Sequence, residues 1–185
     1  MSRKGWIILL AIVLLAVLIL AAGGVAAVHA YFRHSDRLLL TRAEEAEAAG
    51  NWRTVKNNCA WYLTRHPQDT GILAKYARAC SSWLDNRNSN VRDAGRAYFQ
   101  IASKDPAQDE PIERLIEFQE EHHMWEELEY ATSYFLRQRS STSPGLDARL
   151  RYLHALALDR SGRTKEAIDA YTELTNSGVD FTVCQ

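Results

Sequence analysis

The sequence predicts an all-α protein, an N-terminal transmembrane helix followed by an α-solenoid of about four helix pairs. Three observations predict it. Residues 6–28 form an uncharged apolar run directly after Arg3 and Lys4. Sustained alternation of β-branched residues between tight turns, the mark of strands, is nearly absent. From residue 36 onward apolar residues recur at three and four, and the helical stretches come in pairs that resemble one another.

A helix rising ~1.5 Å per residue crosses the ~30 Å hydrocarbon layer in about 20 residues, so 6–28 is long enough to span with a little tilt. The competing reading is a cleaved signal peptide, because small residues run from Ala21 to Ala27 and Val28-His29-Ala30 is an acceptable cut site; the chain would then be secreted. The bulky stretch Trp6–Leu20 is at the long limit for such a peptide, which favours the anchor. Arg3 and Lys4 sit tight against the span, so the expected topology is single-pass with the amino terminus cytoplasmic and the repeat domain on the outer side. Tyr31 and Phe32 read as an interfacial anchor opposite Trp6. The expected map is a short tail at 1–5, the anchor at 6–28, a juxtamembrane linker at 29–35, helical repeats over 36–179, and a C-terminal end at 182–185. The repeat units are 36–69, 70–108, 109–147 and 148–181.

In the first unit a helix over Leu38–Ala49 ends at Gly50, a residue able to close a helix in the left-handed conformation. Trp52 follows, and a second helix carries Val55, Cys59, Tyr62 and Leu63 on one face until His66-Pro67 stops it. The second unit has Leu73, Tyr76, Ala77, Ala79 and Cys80, then a polar enlarged turn Asp85–Asn90, then Ala94, Tyr98, Phe99 and Ile101 before Pro106. The third has Ile112, Leu115, Ile116 and Phe118, a turn with Trp125, then Leu128, Ala131, Thr132, Phe135 and Leu136. The run Arg139–Gly145, with Pro144, breaks the chain. Leu150, Leu153, Ala155, Ala157 and Leu158 follow, then Ser161-Gly162-Arg163 and a last helix with Ala167, Ile168, Tyr171 and Leu174.

This pattern resembles the tetratricopeptide (TPR) family: paired helices of ~34 residues with small residues, a turn Gly, an aromatic and a closing Pro at fixed places. The matches are Ala43, Gly50, Trp52 and Pro67; then Leu73, Ala77, Ala94, Tyr98 and Pro106; then Ile112, Leu115, Trp125, Phe135 and Leu136, with His123 where the turn Gly is expected; and Ala155, Gly162, Ala167 and Tyr171. Arg42 and Val55 depart from the pattern. The resemblance implies a stack whose neighbouring units bury one continuous core. It also implies a concave groove, made by the first helix of each pair, that holds a peptide or protein. At the matching positions the chain offers Leu40, Glu44 and Glu47; Ala74, Arg78 and Ser81; Glu113, Glu117 and Glu120; Tyr152, Leu156 and Asp159. The Lys and Asn pattern by which some members clamp a terminal carboxylate is missing there.

Known catalytic chemistry finds no motif: there is no Gly-rich phosphate loop, no Gly-x-Ser-x-Gly elbow and no zinc-type His-Glu-x-x-His. Glu120-Glu121-His122-His123 does not read as a metal site, since adjacent residues on a helix project about 100° apart; the histidines are expected to meet the last carbonyls of their helix. His154 reads as a partly buried packing residue. Cys59, Cys80 and Cys184 fit neither a disulfide framework nor a Cys-x-x-Cys site, and free, buried thiols are expected. A net charge of −1 gives no electrostatic reason for nucleic acid as a partner. Asp109–Glu129 carries nine acidic residues against Arg114, while Arg137–Lys165 carries seven basic residues against Asp147 and Asp159, so a charged partner would be oriented along the array.

The expected function is that of a non-catalytic, membrane-anchored adaptor that binds a protein or peptide, with Glu44, Arg78, Glu113, Glu117, Glu120, Tyr152 and Asp159 as candidate groove residues. It has no cofactor, metal or small-molecule substrate in this reading. One rival is the front part of a longer protein whose repeats or effector region continue past Gln185. An enzyme is the other, with His154 and Glu117 the residues to test.

Overall fold

The computed structural model describes Val28 and residues 30–83, 89–138 and 143–176, and every secondary-structure element among them is a helix. They are α1 (residues 30–48), α2 (Trp52–Leu63), α3 (Thr70–Ser82), α4 (Ser89–Lys104), α5 (Asp109–Glu121), α6 (Trp125–Gln138), α7 (Pro144–Arg160) and α8 (Thr164–Asn176). From α2 onward each helix packs on the next in sequence. Side chains of α1 join those of α2 and α3 in a shared core of Ala43, Ala46, Val55, Cys59 and Ala79. Short connections make such successive packing the natural solution, and the result is an array of helix pairs.

Three of the turns within pairs are built alike. The N–H of Asn51 donates to Ala46 O, that of Met124 to Gln119 O and that of Arg163 to Leu158 O, at 2.8, 2.9 and 2.9 Å. In each the preceding residue has positive φ: Gly50 at 68°, His123 at 55° and Gly162 at 78°. This is the six-to-one closure that satisfies the orphan carbonyls of a helix end. His123 therefore takes the glycine's backbone conformation as well as its place in the repeat. Two residues on, Trp52, Trp125 and Thr164 each open the following helix. Asn51 also caps α2, its Oδ1 accepting from Thr54 N at 3.2 Å.

The core follows the small and aromatic positions of the repeats. Ala43, Ala77, Ala94 and Ala155 are fully buried, and Ala167 is nearly so. The largest cluster joins α4 to α7 through Ile112, Leu115, Leu128, Phe135, Leu150 and Leu153. Burying one such side chain stabilises by about 1.5–3 kcal/mol. Helix α7 is buried on more than one side, with Leu146, Ala148, Leu150, Leu153, Ala155, Ala157 and Leu158 all inside, because α6 and α8 both pack on it.

Several boundaries differ from those expected. Helix α1 already runs at residue 30, so residues 30–35, expected as a linker, are helical; no Gly or Pro interrupts them. Ser89 and Asn90, expected in the enlarged turn, open α4. Asn90 is buried because its Nδ2 donates to Trp83 O and its Oδ1 accepts from Lys56 Nζ. Pro144 begins α7 rather than breaking the chain, at a position where proline's missing N–H costs nothing. The fourth unit's first helix thus starts before residue 148. No helix among the described residues is long and apolar enough to cross a membrane. The expected span 6–28 lies outside the described residues except for Val28, which is helical and exposed.

Candidate functional site

Two ion-pair bridges join neighbouring odd-numbered helices, α1 to α3 and α5 to α7. Glu47 of α1 accepts from Lys75 Nζ at 2.9 Å and from Arg78 Nη1 at 3.4 Å, both on α3. Glu117 of α5 accepts from Arg149 Nη1 of α7 at 3.1 Å. The hydrogen bond from Lys75 and the positive charges of both partners hold Glu47 below the usual carboxylate range, against an opposing effect of burial.

Of the seven groove residues read from the sequence, Arg78 and Glu117 are thus placed in bridges between odd helices. Glu113 and Glu120, four and three residues from Glu117, are half-buried on the same stripe of α5. Glu44 stands exposed on α1, and Asp159 is exposed at the end of α7. Tyr152 is half-buried, its ring 6.3 Å from Tyr171 of α8. The structure therefore adds Lys75 and Arg149 to this set, two bases whose partners lie on other helices. The charge of Arg149 offsets part of the acidic character that α5 shows when read alone.

The even-numbered helices are bridged too. Lys56 of α2 donates to Asp93 Oδ2 of α4 at 2.8 Å. Arg163, at the start of α8, donates to Glu129 of α6 at 2.6 Å and to Glu166. At the amino-terminal end Asp36 of α1 accepts from Arg65 and lies 2.8 Å from His66 Nε2, in the turn after α2. Burial works against its charge, but the hydrogen bonds from His66 and Arg65 prevail and hold its pKa below the ordinary value.

The histidines, the cysteines and Glu117 are engaged in structural contacts. His154 Nδ1 lies 3.2 Å from Thr132 Oγ1, and burial lowers the imidazole's pKa. Glu117, its partner in the enzyme reading, is bonded to Arg149 instead. The ring of His122 packs on Phe118 at 4.4 Å and that of His123 stacks on Trp125 at 5.4 Å. The histidine rings thus meet aromatics, and it is their backbone N–H groups that meet the carbonyls of Phe118 and Glu120. Among the described residues no group of three or more His, Cys, Asp or Glu is placed to hold a metal. Cys59 and Cys80 are free and buried, and burial pushes both thiols up to about 11, which keeps them protonated and unreactive.

Sequence reasoning passed over Gln119. It is buried in α5 among Ile112, Leu115, Ile116 and Phe118, and its Oε1 has no hydrogen-bond partner among the described residues. Its position, one residue before Glu120 in an apolar-periodic helix, was the available signal: the apolar stripe predicts a hydrophobic side chain there.

No protein-family model and no curated protein matches the sequence. Among solved structures the chain is similar to the crystal structure of MamA protein, at 14% identity over 77% of this chain and 72% of that one, with a TM-score of 0.45. It is also similar to the MamA RS-1 ArsTM double mutant, at 15% identity over 77% and 74% of the two chains, with a TM-score of 0.43. These similarities concern helical architecture alone.

Proposed function

We propose that the chain is a non-catalytic, membrane-anchored adaptor of the tetratricopeptide type, holding a protein or peptide partner on the face of its odd helices. The observation that supports this most is the pair of bridges Glu47–Lys75/Arg78 and Glu117–Arg149. They join neighbouring odd helices into a preformed surface on which charged side chains from several units stand together. A preformed surface loses little order on binding, and mixed charge orients an encounter. Residues 6–28 supply the anchor in this reading, and anchoring raises the effective concentration of partners at the bilayer. The helical array lies on the outer side, with the amino terminus in the cytoplasm.

The test is recovery of partners from detergent-solubilised membranes with Glu113, Glu117 and Glu120 all reversed to Lys. The surface reading expects slower association and an altered salt dependence with helix content unchanged. Undiminished recovery and association would retire the odd-helix face as the docking surface. Topology is tested separately: protease added to intact cells should reach the array without reaching the amino terminus.

A further inference from the structure

We infer that the cleft lined by α4, α6 and Gln119 of α5 binds an extended peptide segment whose side chains alternate between acidic and basic. The cleft holds about 350 Å³, and a second space of about 250 Å³ shares Arg92, Met124 and Glu127 with it. The second space adds Val91, His122 and His123 to the lining, and the first is lined by Phe99 and Tyr130 as well.

Gln119 carries the argument. It is 2% exposed, it lines the cleft, and its Oε1 lacks a partner among the described residues. A buried carboxamide without a partner is destabilising, so a hydrophobic residue of similar size would serve the fold better. The group it matches is a main-chain amide. A carboxamide offers both a donor and an acceptor, as does each peptide unit of an extended strand.

Gly95 lets α4 and Met124 approach closely at the floor of the cleft. Glycine is unfavourable inside a helix, yet it sits buried in α4, where a Cβ would lie 3.0 Å from Met124 Cε. Any larger residue there would require Met124 to shift by a few tenths of an ångström.

The walls set the side-chain chemistry. Arg92 and Arg96 stand exposed on α4, and Glu126 and Glu127 stand exposed across from them on α6. No ion pair closes the cleft among the described residues. Glu126 and Glu127 also suit the first turn of α6, but that role leaves Gln119 and the two arginines unexplained. Successive side chains of a strand point to opposite sides while its main-chain groups point at right angles to them. With the main chain over Gln119, one set of side chains meets the arginines and the other meets the glutamates. An alternating acidic and basic segment satisfies both walls.

The test titrates the full ¹⁵N-labelled chain in detergent micelles with an acetylated, amidated octapeptide alternating Glu and Lys. A peptide of the same composition with all Glu before all Lys is the comparison. The alternating peptide should shift the Gln119 side-chain amide signals and bind about ten-fold more tightly than the block peptide. Gln119→Leu should lower its affinity by about ten-fold while the thermal midpoint stays unchanged or rises. Arg92→Gln with Arg96→Gln, both at exposed positions, should weaken binding with the fold intact. Equal affinity for the two peptides, undiminished affinity in Gln119→Leu, or no shift at millimolar peptide would overturn the inference. Self-association abolished by Gln119→Leu would assign the cleft to a second copy of the chain and overturn it equally. The reversals of Glu113, Glu117 and Glu120, none of which lines the cleft, should leave peptide binding unchanged, so this reading and the proposed function fail separately.

Discussion

Replacing Gly162 by Ala isolates the backbone term of the repeat turns. Gly162 has φ of 78°, and a Cβ added there meets nothing within 4 Å. Sterics with neighbours therefore contribute nothing, and only the left-handed conformation is perturbed. An L-residue in that region costs roughly 1–2 kcal/mol. The cost is partly offset by the entropy that alanine removes from the unfolded chain, about 0.4–1 kcal/mol. A net loss of about 1 kcal/mol remains, which lowers the thermal midpoint of a domain this size by roughly 2–4 °C.

His123→Gly is the internal control, because it relieves the same strain at φ 55°. It also removes the ring stacked on Trp125 at 5.4 Å, a contact of about 0.5–1.5 kcal/mol, and loosens the unfolded chain. Those effects nearly cancel, so a change within about 0.5 kcal/mol is expected. Circular dichroism melts of the two variants beside the parent measure both. A Gly162→Ala midpoint equal to or above the parent's would refute the common geometry assigned to these turns.

Three further outcomes are expected. Ala155→Trp and Ala167→Trp, at positions 0% and 2% exposed, should each overpack the helix crossings and cost ~1–3 kcal/mol or more; unchanged melting of both would show that the repeat alignment is wrong. His154 has a folded-state pKa below its ordinary 6.5 because it is buried. The unfolded chain then binds the proton first, so stability falls as pH drops below about 6.5 and levels off below the folded pKa; denaturant melts of His154→Asn should lose that slope. Asp36 is depressed below 3.8, so its contribution is fully present above that pH and is lost as pH falls through its lower folded value. Asp36→Asn should remove that acid-labile share, and a parent-like acid transition would show that the Arg65 and His66 bonds add nothing.

The pairing of helices was legible because turn and stripe chemistry are local. Gly50 and Gly162 announce the closures they make, and Ala43, Ala77, Ala94, Ala155 and Ala167 mark the buried crossings. Even His123, the departure from the pattern, stands at the correct turn. Pro144 was legible as punctuation but ambiguous in sense, since proline suits the first turn of a helix as well as its interruption. The groove was legible only as a face. Which charges meet on it depends on tertiary stacking: Glu117 finds Arg149 32 residues away, and no spacing rule along one helix selects that partner. Gln119 was hidden for the same reason, because the want of a partner is a property of the packed neighbours rather than of the segment.

The bridges between alternate helices have a mechanical consequence. Glu47–Lys75 and Lys56–Asp93 brace α1–α4, while Glu117–Arg149 and Glu129–Arg163 brace α5–α8. Across the middle, ring contacts join the two halves, with Tyr98 on Phe118 at 5.1 Å and Phe99 on Phe135 at 5.9 Å. Ion pairs are directional, whereas the hydrophobic contribution of the ring contacts is not. The two halves also share the core cluster that runs from α4 to α7, and the cleft over Gln119 lies at that junction. A segment seated there would touch α4 of one half and α6 of the other at once, so its binding would stabilise their packing together.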